Sequence, residues 1–85
     1  MSQATEIYSH EFDSIFSQLA PGVRRRVLEK IRMLGSRLET FPHERLQGRP
    51  EFRLRVGDYR VLYELDLRRN ERFLVTLGHR RDVYR

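Results

Sequence analysis

Phe52-Arg53-Leu54-Arg55-Val56-Gly57-Asp58-Tyr59-Arg60-Val61-Leu62-Tyr63 decides the fold of this chain. It reads as two strands of alternating character joined by a two-residue Gly-Asp turn. Glycine at the first central position suits a type II′ turn, whose twist matches paired strands. With Gly57 and Asp58 at the turn, Val56 faces Tyr59, Arg55 faces Arg60, Leu54 faces Val61, Arg53 faces Leu62 and Phe52 faces Tyr63. Opposed residues share a face, and faces alternate along each strand. One face therefore collects Phe52, Leu54, Val56, Tyr59, Val61, Tyr63 and Leu65, a core wall. The other collects Arg53, Arg55 and Arg60, with Leu62 and Glu64 farther along.

Arg55 opposite Arg60 is a like-charge pair, which costs a sheet roughly 0.2–1 kcal/mol. Two explanations are open. The long arginines splay into water and cover apolar surface with their stems, or an anion sits between them, with phosphate the best match to guanidinium geometry.

Working outward, residues 3–8 are expected to form a short edge strand around Ile7 and Tyr8. Ser9 is a candidate N-cap, followed by Phe12, Ile15, Phe16 and Leu19 in one helical stripe. Ala20-Pro21-Gly22 separates this helix from a second, with Pro21 at a favourable first position. Val23, Val27, Ile31, Leu34, Leu38 and Phe41 carry the helical spacing to about residue 41. So short a connection predicts an antiparallel helical hairpin whose apolar face covers the sheet. Its opposite face carries Arg24, Arg25, Arg26, Glu29, Lys30, Arg32 and Arg37, either a solvated surface laced with ion pairs or a basic ridge against nucleic acid. Residues 41–50 form a connector broken by Pro42 and Pro50. Arg72 to Leu77 predict a further strand with Phe73, Val75 and Leu77 on one face and Leu74 and Thr76 on the other. Continued past Gly78, the alternation places Arg80, Asp82 and Tyr84 on the Leu74 face, with His79, Arg81 and Val83 opposite. The expected architecture is one α+β domain over residues 1–85: an antiparallel sheet with an N-terminal helical hairpin packed on one face.

Composition bounds the function. The formal net charge is +5, and Lys30 is the only lysine. A basic balance points to nucleic acid or to an acidic protein partner. There is no cysteine, so neither a disulfide framework nor a thiolate metal site is available. The N-terminal residues lack signal-peptide character, and no apolar run approaches a membrane span. A cytoplasmic, soluble protein is expected. His10, His43 and His79 are scattered without ligand spacing, so no metal and no cofactor is expected. No serine lies in a strained strand-to-helix turn, which argues against a Ser-His-Asp hydrolase. Arg53, Arg55, Arg60, Arg80 and Tyr84, with His79 nearby in sequence, remain as groups suited to phosphoryl chemistry on RNA. There the 2′-hydroxyl is itself the nucleophile, and the protein supplies alignment, charge stabilisation and proton transfer. A basic binding module without chemistry is the competing reading.

Leu46-x-Gly48, the Phe52–Tyr63 block and Val75-Thr-Leu-Gly-His-Arg-Arg-Asp-Val-Tyr84 resemble RelE toxins of the RelE/ParE superfamily, over nearly the whole chain. The central block is common to RelE ribonucleases and ParE gyrase inhibitors. The Gly78–Tyr84 tail is similar to the RelE branch. The resemblance implies a type II toxin–antitoxin toxin, a metal-independent endoribonuclease that cuts mRNA in the ribosomal A site by 2′-hydroxyl attack. It implies that Arg60 and Arg80 contact the scissile phosphate. It gives Tyr84 a role in base stacking or proton transfer. Arg53 and Arg55 match positions that are lysines in the best-known branch, one of them implicated as a proton shuttle. As arginines they are poor bases and serve to stabilise charge. Tyr84, and then His79, are left as candidates for the base. Arg53, Arg55, His79, Arg81 and Lys30 are the expected RNA contacts. The implied partners are an acidic cognate antitoxin, the ribosome with mRNA, and operator DNA through the antitoxin, with no membrane. The alternative the resemblance leaves is a ParE-like inhibitor of DNA gyrase without nuclease activity.

Overall fold

The computed structural model describes residues 3–83. In chain order the elements are β1 (Thr5–Tyr8), α1 (His10–Ser17), α2 (Pro21–Ser36), β2 (Glu44–Arg45), β3 (Phe52–Val56), β4 (Tyr59–Asp66) and β5 (Glu71–His79). They build one five-stranded sheet in the order β1-β5-β4-β3-β2. The β3–β4 pairing runs from Val56 opposite Tyr59 to Phe52 opposite Tyr63, the register expected from the Gly-Asp turn. Gly57 has φ +58°, and Asn70 is the one non-glycine residue with positive φ among the described residues. A left-handed first turn residue followed by a right-handed second is what a type II′ turn requires. β2, β3, β4 and β5 pair antiparallel, whereas β1 joins β5 in parallel, so the complete sheet is mixed.

Both helices cover the face bearing Leu54, Val56, Val61 and Tyr63, in one core cluster with Phe12, Val27, Ile31 and Leu34. Apolar burial at helical and strand periods on facing elements is the main stabilising contribution. Ser9 caps α1. Its Oγ accepts from the Phe12 N–H at 2.9 Å and donates to the Val75 carbonyl at 2.5 Å. The cap thus fixes the helix start to β5 as well as satisfying a free backbone donor.

Two sequence expectations change. The first concerns the end of α2, which stops at Ser36 rather than near residue 41. Its last turn is docked by outside partners. The Arg72 Nη1 donates to the Ile31 carbonyl, and the Ala4 N–H donates to the Gly35 carbonyl at 3.3 Å. Gly35 is buried against the Arg72 guanidinium, where a Cβ would collide with it. Leu38 and Phe41 still pack into the core, but from turns in which the Thr40 and Phe41 N–H groups bond to the Arg37 carbonyl. Their spacing mimics a continuing helix because both must reach the same core.

The second concerns β5. Leu62 pairs with Thr76, but Tyr63 pairs with Leu74, leaving Val75 as an extra residue in a β-bulge. A bulge shifts the phase of the pleat. Leu74 and Leu77 therefore both enter the core, and Phe73 is exposed. The regular alternation that grouped Phe73, Val75 and Leu77 against Leu74 does not hold. Arg72 follows Leu74 inward and is fully buried. Its Nη2 lies 2.7 Å from Glu6 Oε2 and 3.3 Å from the Ala4 carbonyl, so it ties β1, α2 and β5 together. The Tyr8 hydroxyl donates to the same Glu6 carboxylate. Burial, then that hydrogen bond, raises the Tyr8 hydroxyl well above its ordinary pKa.

Candidate nucleic-acid interface

Arg53, Arg55 and Arg60 share the sheet face turned away from the helices. Arg55 stands directly opposite Arg60, and Arg53 opposite Leu62. This face is not bare, since Leu62 and Thr76 on it are buried. The guanidinium groups project from a rigid two-strand platform with an apolar floor beside it.

The short strand β2 brings a carboxylate into this cluster. Glu44 pairs with Arg53 in register. Arg53 Nε donates to Glu44 Oε1 at 2.8 Å. Arg55 takes both oxygens side-on, with Nε to Oε1 at 3.3 Å and Nη2 to Oε2 at 3.2 Å. These hydrogen bonds from Arg53 and Arg55 lower the Glu44 pKa from 4.5 to about 2. Glu44 thus bridges two guanidinium groups, and Arg60 stands beside them on the same face. Glu44 was legible in the sequence only as an acid within a connector. A two-residue strand carries no periodicity that would set its register.

Arg60 Nη1 donates to the carbonyls of Gly57 at 2.7 Å and Tyr59 at 2.8 Å, so its head folds over the hairpin turn. Arg80 reaches the same turn from the other side. Its N–H donates to the Asp58 carbonyl at 2.7 Å, and its Nε lies 3.8 Å from Asp58 Oδ1. Both groups of that loose ion pair are more than half exposed. Arg60 and Arg80 are thereby gathered at one end of the sheet.

The strand does not continue through the tail. β5 ends at His79, and the N–H groups of Asp82 and Val83 both bond to the His79 carbonyl in a turn. The expected alternation therefore does not apply to residues 80–83, whereas His79, still within β5, keeps the side it was expected to have. His79 pairs with Tyr59, and their rings meet edge-to-face at 5.8 Å. It lines a cleft of about 350 Å³ with Glu11, Ile15 and Leu19 from the helical side, away from the arginine face. Arg81 is exposed in the turn, its N–H 3.3 Å from His79 Nδ1. Lys30 lies on α2 and lines a groove with Arg26, Met33 and Gly57, on the helical side of the hairpin turn. Tyr84 lies outside the described residues.

His43 is internal scaffolding. Its Nε2 faces the Leu38 carbonyl at 2.6 Å and its Nδ1 the Tyr63 hydroxyl at 2.7 Å. A carbonyl only accepts, which places the imidazole proton on Nε2 and lets the Tyr63 hydroxyl donate to Nδ1. Burial raises the Tyr63 hydroxyl far above its ordinary pKa, which keeps it protonated. Arg45 lies 4.7 Å over the Phe52 ring beside this cluster.

The chemistry the surface supports is binding and stabilisation of negative charge by guanidinium groups. Glu44, held near pKa 2, is a weak base. Among the described residues no three His, Cys, Asp or Glu side chains are grouped to hold a metal ion. Among the described residues, too, no helix is long and apolar enough to cross a membrane.

Residues 2–84 match the family model described as the ParE toxin of the type II toxin–antitoxin system parDE. The fold is similar to a RelBE toxin–antitoxin complex from Mycobacterium tuberculosis, with TM-score 0.77 and 23% identity over 96% of this chain and 97% of that one. It is similar to an archaeal RelE–RelB complex from Pyrococcus horikoshii, with TM-score 0.77 and 23% identity over 96% and 100%. The isolated RelE toxin of E. coli aligns with TM-score 0.76 and 15% identity over 89% and 83%. No curated protein sequence matches the chain.

Proposed function

The chain belongs to the ParE toxin family of type II toxin–antitoxin systems, within the RelE/ParE superfamily, and from that premise we propose that it is a ribosome-dependent endoribonuclease. It cuts mRNA in the A site and stops translation. The reaction is attack of the RNA 2′-oxygen on the adjacent phosphorus. A 2′-O–P bond forms, the P–O5′ bond breaks, the 2′-hydroxyl proton is released and the 5′-oxygen is protonated. Arg60 and Arg80 stabilise the charge on the phosphorane oxygens, the usual largest contribution in such a site. Arg53 and Arg55 hold the flanking backbone, Tyr84 stacks on the base or moves a proton, and Arg81 adds an exposed phosphate contact.

The observation that carries this reading is the convergence of Arg60 and Arg80 on the Gly57–Asp58 turn, at the end of the sheet whose face Arg60 shares with Arg53 and Arg55. In the cell the protein is held inactive by a separately encoded acidic antitoxin that complements this surface. One solved structure of similar fold is a RelBE toxin–antitoxin complex.

A second reading, inhibition of DNA gyrase without nuclease chemistry, has one observation in its favour. Glu44, the carboxylate paired with Arg53 and Arg55, is a weak base, and His79 lies on the other side of the sheet. The two readings separate in one pair of assays. Purified toxin is added to ribosomes programmed with a defined mRNA, and to gyrase with relaxed plasmid. The nuclease reading expects mRNA ends with 2′,3′-cyclic phosphate at the A-site codon and undisturbed supercoiling. Intact mRNA with blocked supercoiling reverses the assignment.

A further inference from the structure

We propose that Glu44 is a built-in, displaceable ligand of the Arg53–Arg55 pair, occupying in the free protein the position that a phosphodiester of single-stranded RNA takes in the complex. The proposal rests on the polyanion-binding part of the reading above and not on its cleavage step.

The geometry is that of an occupied oxoanion site. Arg55 presents its Nε and Nη2 to two different oxygens of one acid group, the side-on contact guanidinium makes with either a carboxylate or a phosphate. Arg53 Nε adds a third contact to the oxygen it shares with Arg55. The Arg55 contacts, at 3.3 and 3.2 Å, are longer than the roughly 2.7–2.9 Å of a tight charge-assisted bond, whereas the Arg53 contact is tight. The Glu44 side chain is 41% exposed and that of Arg55 is 60% exposed, so an incoming anion reaches the pair from solvent. Arg55 is the group it takes first.

The strand that carries Glu44 suits release. β2 is two residues long and, among the described residues, lies at the edge of the sheet and pairs with β3 alone. Rotation of the Glu44 side chain releases its contacts with Arg55 and Arg53 without altering any core residue. Until then the carboxylate offsets part of the charge of the pair, screening the surface against unspecific polyanions. The like-charge opposition of Arg55 and Arg60 is also eased by this internal anion, which gives the arginine cluster a stable free state. A catalytic base would be placed to take a proton, whereas this carboxylate is committed to two cations and keeps little basicity.

The test uses the full chain and a short, labelled, 2′-O-methylated single-stranded RNA, which binds without being cut. Fluorescence anisotropy is read at low and at physiological salt for wild type, Glu44→Gln and Glu44→Ala. The expected result is roughly tenfold tighter binding by both variants at low salt, shrinking as salt rises. In the Glu44→Gln background, Arg55→Gln should cost more affinity than it does in the wild type. A measurement on the wild type alone stands beside the variants: the Glu44 carboxyl ¹³C resonance should move towards that of an unpaired glutamate as RNA saturates the protein. Equal or weaker RNA binding by Glu44→Gln and Glu44→Ala, or an unmoved Glu44 resonance at saturation, overturns the proposal and makes Glu44 a fixed support for the arginines. Absence of mRNA cleavage on ribosomes, with the binding result intact, overturns the cleavage reading alone.

Discussion

Arg72 and Arg55 stand two strands apart in one sheet and behave as opposites. Arg72 is wholly enclosed, bound to the Glu6 carboxylate and to the carbonyls of Ile31 and Ala4. Arg55 is mostly in water and shares a single carboxylate with Arg53. The same side chain holds the fold together on one face and offers charge to a partner on the other. Net charge therefore says little about function until the phase of the pleat is known. Here a one-residue bulge at Val75 sets that phase for Arg72.

The contrast breaks most sharply at Arg72. Replacing it by alanine removes the cation paired with Glu6 and empties a fully buried site between β1, α2 and β5, and the protein should lose about 3–5 kcal/mol in urea unfolding. Gly35→Ala pushes on the same guanidinium from the helix side and should cost about 1–3 kcal/mol in the same experiment. If either variant unfolds at the wild-type midpoint, Arg72 is not the tie between β1, α2 and β5. On the other face, Arg80→Ala should reduce the rate of A-site cleavage about 100- to 1000-fold while shifting unfolding by less than about 1 kcal/mol.

The smallest effect expected is one of pH. Glu44 has its pKa lowered in the folded state, so its ion pairs add stability above the ordinary value of 4.5. That contribution is lost as pH falls through about 2. The difference in thermal midpoint between wild type and Glu44→Gln should stay constant from neutral pH to about 5 and fade below it. A difference that persists unchanged at the acid end would mean that Glu44 stabilises the fold without its charge.

Much of this contrast was legible in the sequence, and the rest was hidden for physical reasons. The Gly57–Asp58 turn, the pairing of Arg55 with Arg60 and the core stripe of α1 follow from local rules of turn chemistry and periodicity. The end of α2 did not, because Leu38 and Phe41 keep helical spacing while the backbone is captured by Ala4 and Arg72 from distant parts of the chain. The bulge at Val75 left no local mark, and with it went the burial of Arg72 and Leu74. At the candidate site, the shared face of Arg53, Arg55 and Arg60 was readable. Glu44 was not assigned to it, because the register of a two-residue strand is set by tertiary packing. The placement of His79 opposite Tyr59 follows from strand parity, whereas the turn that carries Arg80 back to Asp58 depends on a contact between segments remote in sequence.

The most direct test of two faces with separate duties is Arg60→Ala, assayed for urea unfolding and for mRNA cleavage in translating ribosomes from one preparation. Arg60 reaches only turn carbonyls and makes no ion pair among the described residues. The account predicts an unfolding midpoint within about 1 kcal/mol of wild type, together with loss of the A-site cuts seen in primer extension. Full cleavage by a folded Arg60→Ala protein would contradict it.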